Sequence, residues 1–319
     1  MASTGRRAVI LGGTGAIGAA TALRLAGQGW HVDVTGRDQA KMPRELIDMG
    51  VRFRQIDRSD IRGVSALVDD GADLLVDLVA YRGQDVRALV PAMRVCTSIV
   101  VVSSRAVYID PQGRHINGDE APAFRIPIPE TNPTVPPAGP GVDPFSREGY
   151  AASKVAVERE SLESGLPITV LRPSKVHGRW ARNARTAAIV EQMLAGIDEI
   201  QLADHGMAID HLTAAANTAA LIETVADTPA GRVLNSADPD PLTAKRIVGA
   251  IAEAIGWKGC VRGLEPGREG GDHPWNPTHP IILDTEAAAA IGYAPAGTAR
   301  ELLADEATWV ASTLSSRRR

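Results

Sequence analysis

Tyr150 and Lys154 carry the most specific chemistry in the sequence. They stand four residues apart within Glu148 to Glu158, a run of strong helix formers, so both project from one helix face. A phenol titrates near 10, too high for easy proton exchange at neutral pH. A nearby ammonium would stabilise the phenolate and lower that value. Such a tyrosine gives a proton to a carbonyl oxygen, or takes one from an alcohol, while a cofactor moves hydride.

The cofactor half of that chemistry has its own signature near the N-terminus. Val9-Ile10-Leu11 is an apolar run of strand length, and Gly12, Gly15 and Gly18 follow it at intervals of three. Gly13, Thr14, Ala16 and Ile17 fill the turn, and Ala19 to Ala26 continues with helical character. Gly13, Gly15 and Gly18 also read as G-x-G-x-x-G. A strand, a glycine turn and a helix let the backbone approach a ligand closely and aim free N–H groups and a positive dipole end at a pyrophosphate. Gly12 to Gly18 are therefore expected to bind a dinucleotide.

Cofactor choice is read at the end of the second strand, where Trp30 to Thr35 leads into Gly36-Arg37-Asp38. An acidic residue there accepts hydrogen bonds from the adenosine ribose, whereas a small residue followed by Arg suits a 2′-phosphate. Gly36 and Arg37 favour NADP, with NAD as the alternative. In that alternative Arg37 is a solvated cation and Asp38 serves the ribose.

The elements that position these groups follow from the apolar pattern. Asp73 to Ala80 and Ile99 to Ser104 are nearly continuous apolar runs, as expected of parallel strands covered on both faces. Strands alternate with helical segments through about residue 175, which argues for an α/β fold with a doubly wound parallel sheet. Phe53 to Ile56 reads as a third strand closing at Asp57; Asp57 either caps the next helix or faces the adenine. From Asp110 to Pro144 prolines and glycines stop the pattern, so neither a helix nor a central strand runs through it. This long excursion is expected to be a substrate lid or a floppy insertion.

Three features together make the chain resemble the extended short-chain dehydrogenase/reductases, and more narrowly the NAD-dependent epimerase/dehydratase family. They are the glycine turn, Val102-Ser103-Ser104-Arg105-Ala106-Val107-Tyr108, and Tyr150-Ala151-Ala152-Ser153-Lys154. The match spans about residues 7 to 178, including Leu171-Arg172-Pro173-Ser174-Lys175-Val176-His177-Gly178. The resemblance implies a Rossmann-type fold, with Ser104 polarising the substrate oxygen, Tyr150 as acid/base, and Lys154 binding the nicotinamide ribose and lowering the tyrosine pKa. It also puts Asp57 near the adenine, Leu78, Val79 and Ala80 along the adenosine and pyrophosphate path, and Pro173 near the nicotinamide. Asp77 stands where the family often has His, Gly36-Arg37 replaces an acidic strand end, and the gap from Ser104 to Tyr150 is longer than usual.

The implied organisation is a cofactor domain over 1–178, to which 205–236 returns, and a smaller C-terminal substrate-binding lobe from 179–204 and 237–319. Ala184 to Leu194, Ala214 to Val225, Thr243 to Ile255 and Ala299 to Leu314 read as helices. The loop from Gly263 to Pro280 holds His273, Trp275 and His279 without metal-ligand spacing, so no metal is expected and closure over substrate is. Arg317 to Arg319 reads as a basic tail.

Composition sets the bounds. A net charge of −4 over 319 residues gives no reason to expect nucleic acid or an anionic membrane as partner. No apolar stretch approaches the ~20 residues of a spanning helix. Two isolated cysteines, Cys96 and Cys260, suit buried packing in a reducing cytoplasm. The expected activity is NAD(P)-dependent hydride transfer to or from a carbonyl or secondary alcohol of a small polar metabolite, with a homodimer possible. The alternative is a sugar or sugar-nucleotide epimerase or dehydratase working through a transient keto intermediate, although no nucleotide-sugar pattern is evident. A cofactor-binding sensor is the reading outside catalysis.

Overall fold

A computed structural model describes residues 5–317 of the chain; the basic tail expected at 317–319 lies outside them but for the backbone of Arg317. The first half alternates as its apolar runs require. β1 (Arg7–Leu11), α1 (Ala16–Gly27), β2 (His31–Gly36), α2 (Arg44–Asp48), β3 (Arg52–Gln55), α3 (Ile61–Val68) and β4 (Ala72–Asp77) follow one another, then α4 (Gly83–Met93), β5 (Cys96–Val102), α5 (Arg147–Glu163) and β6 (Ile168–Pro173). The second half holds β7 (Lys175–His177), α6 (Arg185–Leu194), β8 (Glu199–Leu202), β9 (Leu212–Ala214), α7 (Ala215–Asp227), β10 (Arg232–Ser236), α8 (Ala244–Ile255), β11 (Cys260–Gly263), α9 (Glu286–Ala290) and α10 (Ala299–Arg317).

Seven strands form one sheet in the order β10-β6-β5-β4-β1-β2-β3, all parallel. Successive residues bury on opposite faces: Ile10, Val76 and Val100 pack toward α1 and α7, while Val9, Leu75 and Val101 pack toward α3 and α4. This two-sided burial is why these strands read as unbroken apolar runs. Chain direction across the sheet reverses between β1 and β4, which opens a crevice at the carboxyl ends of those strands.

A second core lies apart from the sheet. Val190, Leu202, Ile247, Ile251, Leu303 and Ala307 bury one face each of α6, β8, α8 and α10. Trp275, 1% exposed, plugs this core, so the loop carrying it is packed at that point rather than free to close over a ligand. Thr243 caps α8 by accepting from Arg246 N at 3.3 Å. Cys96 is buried as expected, whereas Cys260 is exposed on β11, because only alternate residues of that short strand face the lobe core.

The excursion from Asp110 to Pro144 is irregular but built. Its Asp110 carboxylate accepts from the N–H groups of Gln112, Arg114 and Ala123, each at 2.9 Å. Burial opposes ionisation of that carboxyl, but these bonds and the Arg114 guanidinium outweigh it and hold the group down near about 2. Ile128 and Val135 bury against Val107, Tyr108 and Leu283, and Ile128 N donates to Ile282 O at 2.8 Å. Prolines excluded regular structure here without excluding a core.

Candidate active site

The glycine turn is shaped by contact. At Gly12, where φ is +83°, a Cβ would lie 2.7 Å from Val79 Cγ1, and at Gly18 it would meet Gly13 Cα at 2.6 Å. At Gly15 nothing lies within 4 Å. Gly15 is also the N-cap of α1, with no side-chain cap and no acidic residue in the first turn. The first amides of α1 are therefore left without a side-chain cap at a positive dipole end, which fits a pyrophosphate.

A cleft of about 410 Å³ runs from this turn to the ends of β2 and β3. Of the residues expected to bind cofactor, Gly12, Thr14, Gly36, Arg37, Asp57 and Val79 line it. Asp57 accepts from Ser59 N at 2.9 Å and Ser59 Oγ at 2.7 Å, and these bonds, with a smaller pull from Arg37, lower its pKa against burial. Capping of α3 falls to Asp60, which accepts from Gly63 N at 3.0 Å. Asp57 is thus left on the cleft. Gly13, Ala16, Ile17 and Gly18 hold the turn together behind the lining, and Leu78 packs into the sheet core.

The residues expected to be catalytic come from the end of one strand, β5, and from one helix, α5. Ser104 leaves β5 in extended backbone and accepts from Ala106 N at 3.1 Å, opening a short 3-10 turn. Ser103, one residue earlier, is buried and donates to Glu158 at 2.5 Å, and Glu158 is in turn clamped by Arg172 at 2.9 and 2.6 Å. Only Ser104 is left for the site. Ser146 caps α5 by accepting from Gly149 N at 2.9 Å, and one turn later Tyr150 faces the Ser104 hydroxyl. Burial raises the Tyr150 pKa, and the nearby Ser104 hydroxyl acts against that rise.

Lys154 lies 3% exposed on the same helix and donates to the carbonyls of Ala80 at 2.8 Å and Val102 at 3.0 Å. Its Nζ also sits 4.6 Å from the centre of the Tyr81 ring. Burial drives its pKa down to about 8, with Asp77, Glu158 and Asp85 pulling the other way. The ammonium is thus spent on the ends of β4 and β5, and the groups that move the Tyr150 phenol are burial, Ser104 and Tyr81. Pro173 ends β6 in register with Ser236, buried in the sheet and off the cleft lining.

Several residues at the site carried no readable signal. Tyr81 packs at a tilt of 52° against the exposed Phe145 with ring centres 4.9 Å apart, so the residue just past the excursion touches the cleft. Asp77, the residue in place of the family's frequent His, is fully buried and paired with Arg58 at 3.0 and 2.6 Å; its other oxygen accepts from Val79 N at 3.0 Å. On the lobe side, Asp210 is buried between Arg105 and Lys175. Asp77, Tyr81 and Arg82 directly flank the expected Leu78–Ala80 path, a positional hint; Phe145, Arg58 and Asp210 are brought in from elsewhere in the chain. Among the described residues no group of three or more His, Cys, Asp and Glu is placed to hold a metal, and no helix is long and apolar enough to cross a membrane.

Residues 8–236 match the model of the NAD dependent epimerase/dehydratase family. The chain belongs to that family. Its members are NAD-dependent epimerases and dehydratases, so this family enzyme combines the glycine turn with the Tyr150 and Lys154 pair in one α/β fold. Solved structures agree in fold over nearly the whole length. A UDP-glucose 4-epimerase from Stenotrophomonas maltophila, with bound NAD and formylated UDP-arabinopyranose, is 18% identical at a TM-score of 0.71, covering 98% of this chain and 100% of its own. A UDP-glucose 4-epimerase from Thermotoga maritima with UDP-glucose is 18% identical at 0.68, covering 97% and 99%. A dTDP-glucose 4,6-dehydratase from Bacillus anthracis with NAD is 14% identical at 0.70, covering 97% and 98%. No curated protein matches the sequence.

Proposed function

We propose that this family enzyme is an NADP-preferring oxidoreductase acting on a carbonyl or secondary alcohol of a small polar metabolite. The observation that carries the reading is the approach of Ser104 to Tyr150 at the carboxyl end of the sheet, one helical turn from Lys154. A bound nicotinamide supplies or accepts the hydride at the reacting carbon. Ser104 donates a hydrogen bond to the substrate oxygen and orients it toward the phenol. Tyr150 Oη passes its proton to that oxygen in reduction and takes it back in oxidation. Lys154, a cation fixed by two carbonyls, would bind the ribose hydroxyls through its remaining N–H.

NADP is supported at the β2 end. Gly36 offers no carboxylate to repel a 2′-phosphate, and the Asp38 carboxylate is turned to Ala40 N at 3.0 Å, capping the next turn with Lys41 3.9 Å away. Arg37 lines the cleft without a hydrogen bond or ion pair among the described residues. We assign cofactor binding to 1–178 with 205–236, and substrate binding to the lobe of 179–204 and 237–319, whose separate core supports that division.

The second reading is an epimerase or dehydratase that returns the hydride it takes; the solved neighbours named above, bound to NAD and nucleotide sugars, favour it. Stoichiometry separates the two. Substrate-dependent net oxidation of NADPH at 340 nm supports the first reading, and product formed with no net change in cofactor supports the second.

A further inference from the structure

The cofactor cleft is lined by five cations, Arg37, Lys41, Arg58, Arg82 and Arg182, against three carboxylates, Asp38, Asp57 and Asp85. The carboxylates are committed to backbone: Asp38 to Ala40 N, Asp57 to Ser59 N, and Asp85 to Tyr81 N and Arg82 N at 3.0 and 2.8 Å. The cations are not. Arg58 is held by Asp77 and Lys41 stands 3.9 Å from Asp38, but the guanidinium groups of Arg37, Arg82 and Arg182 have no hydrogen bond or ion pair among the described residues. Like charges gathered on one concave wall with their natural partners occupied leave a site that an anion completes.

Arg182 differs from the others in where it comes from. It is not part of the sheet or its crossovers but sits in the loop from Gly178 to Ala184, between β7 and the lobe helix α6. That loop is fixed before Arg182 is reached. Ala181 N donates to Gly178 O at 3.1 Å, and Arg179 forms a two-pronged bond to Asp305 of α10 at 3.0 and 2.6 Å. Trp180 takes a left-handed backbone, φ +60°, with its ring set edge-on against Trp309 of α10 at 5.8 Å. A non-glycine residue persists in that conformation where its surroundings dictate it. On the far side, the half-buried Arg185 at the start of α6 donates to the Val176 carbonyl. The loop is a bracket with both feet on the lobe and its tip at the cofactor cleft.

We propose that Arg182 is a phosphate clamp, carried by the lobe, that closes on a phosphate of the dinucleotide across the cleft from Arg37. The inference rests on the reading that a dinucleotide fills this cleft. Two phosphates are within its chemistry, the pyrophosphate shared by both cofactors and the 2′-phosphate of NADP, and the measurement separates them.

Dissociation constants for NADP and for NAD are measured by titration calorimetry on the full chain with Arg182→Ala, Arg182→Lys and Arg182→Glu beside the wild type, at two salt concentrations. Arg182→Ala weakens NADP roughly tenfold, as loss of one charge-assisted contact does. Arg182→Glu weakens it further, Arg182→Lys recovers part of the loss, and salt weakens the wild type more steeply than Arg182→Ala. Equal loss for NAD and NADP identifies the pyrophosphate; loss for NADP alone identifies the 2′-phosphate. Melting temperatures of the variants stay at the wild-type value, because an exposed side chain without partners contributes no packing. If Arg182→Ala and Arg182→Glu bind both cofactors within twofold of wild type, the clamp is overturned. If the wild type binds neither cofactor, the dinucleotide reading fails and takes the clamp with it, and that failure shows in the wild type before any variant is made.

Discussion

Ser103 and Ser104 are adjacent in sequence and opposite in use: the first donates a hydrogen bond to the buried Glu158 at 2.5 Å, while the second turns to Tyr150 at the sheet's carboxyl end. Successive side chains of an extended segment point to opposite sides, so one serine must serve the core when its neighbour faces Tyr150. Ser103→Ala leaves a buried ion pair, Glu158 with Arg172, short of one donor and should cost about 1–3 kcal/mol of stability with turnover near wild type. Ser104→Ala should do the reverse, losing roughly 10²- to 10³-fold in turnover with stability kept. Urea unfolding and steady-state kinetics on both variants test the division; matching losses in both measurements would show that the two hydroxyls share one role.

Tyr150→Phe should fold and bind cofactor while losing roughly 10²- to 10⁴-fold in turnover, the usual contribution of a positioned acid/base. Activity within about threefold of wild type would remove Tyr150 from the mechanism.

Lys154 loses its proton near pH 8, because burial favours the neutral amine more strongly than Asp77, Glu158 and Asp85 favour the cation. Below that pH the ammonium is present to hold the ribose, so cofactor affinity should be highest there and fall as pH rises through about 8. Lys154→Met keeps the length of the side chain and removes the titration. Its cofactor affinity should be weak and flat with pH; a wild-type limb that persists in Lys154→Met belongs to another group.

Cofactor preference should follow Arg37. Arg37→Ala should weaken NADP alone by roughly ten- to a hundredfold. Gly36→Asp should turn preference toward NAD, but a Cβ there meets the Phe53 ring at 3.1 Å, so Gly36→Ala is needed to subtract that crowding. Equal binding of NAD and NADP by the wild type, or unchanged NADP affinity in Arg37→Ala, would place ribose recognition on Asp38 or a backbone amide instead.

His177 joins the two cores, with Nδ1 3.1 Å from Glu306 of α10 and Nε2 3.0 Å from Asp238. Burial disfavours the imidazolium, but the two carboxylates outweigh it and raise the pKa from 6.5 to about 9. A raised pKa gives stability that is fully present below the unfolded value of 6.5 and is lost as pH climbs through about 9, on the order of 3 kcal/mol in all. The stability advantage of wild type over His177→Gln should therefore be largest at pH 6 and shrink toward pH 9.5. Urea unfolding across that range decides it, and an advantage independent of pH would mean that the ring is not charged by folding.

Local spacing was enough to bring the glycine turn and the Tyr150–Lys154 pair into their elements. A glycine interval of three at a strand end, and a tyrosine and lysine one helical turn apart, are constraints that the backbone's own periodicity converts directly into geometry. The parallel sheet was equally legible, since strands covered on both faces have no polar side to alternate with. The excursion from Asp110 to Pro144 was harder to read, because its order comes from one carboxylate collecting three amides and from two apolar residues finding a pocket made elsewhere. Spacing likewise could not separate the two readings of Asp57, whereas the structure gives the helix cap to Asp60. Which serine faces the phenol was named only by resemblance, and the burial of Glu158 beneath Ser103 supplies the physical reason. The pairing of Arg58 with Asp77, the packing of Phe145 against Tyr81 and the arrival of Arg182 at the cleft were decided by tertiary structure alone. Periodicity acts over a few residues of chain, whereas these contacts join segments whose paths are set by how the two cores bury their apolar faces.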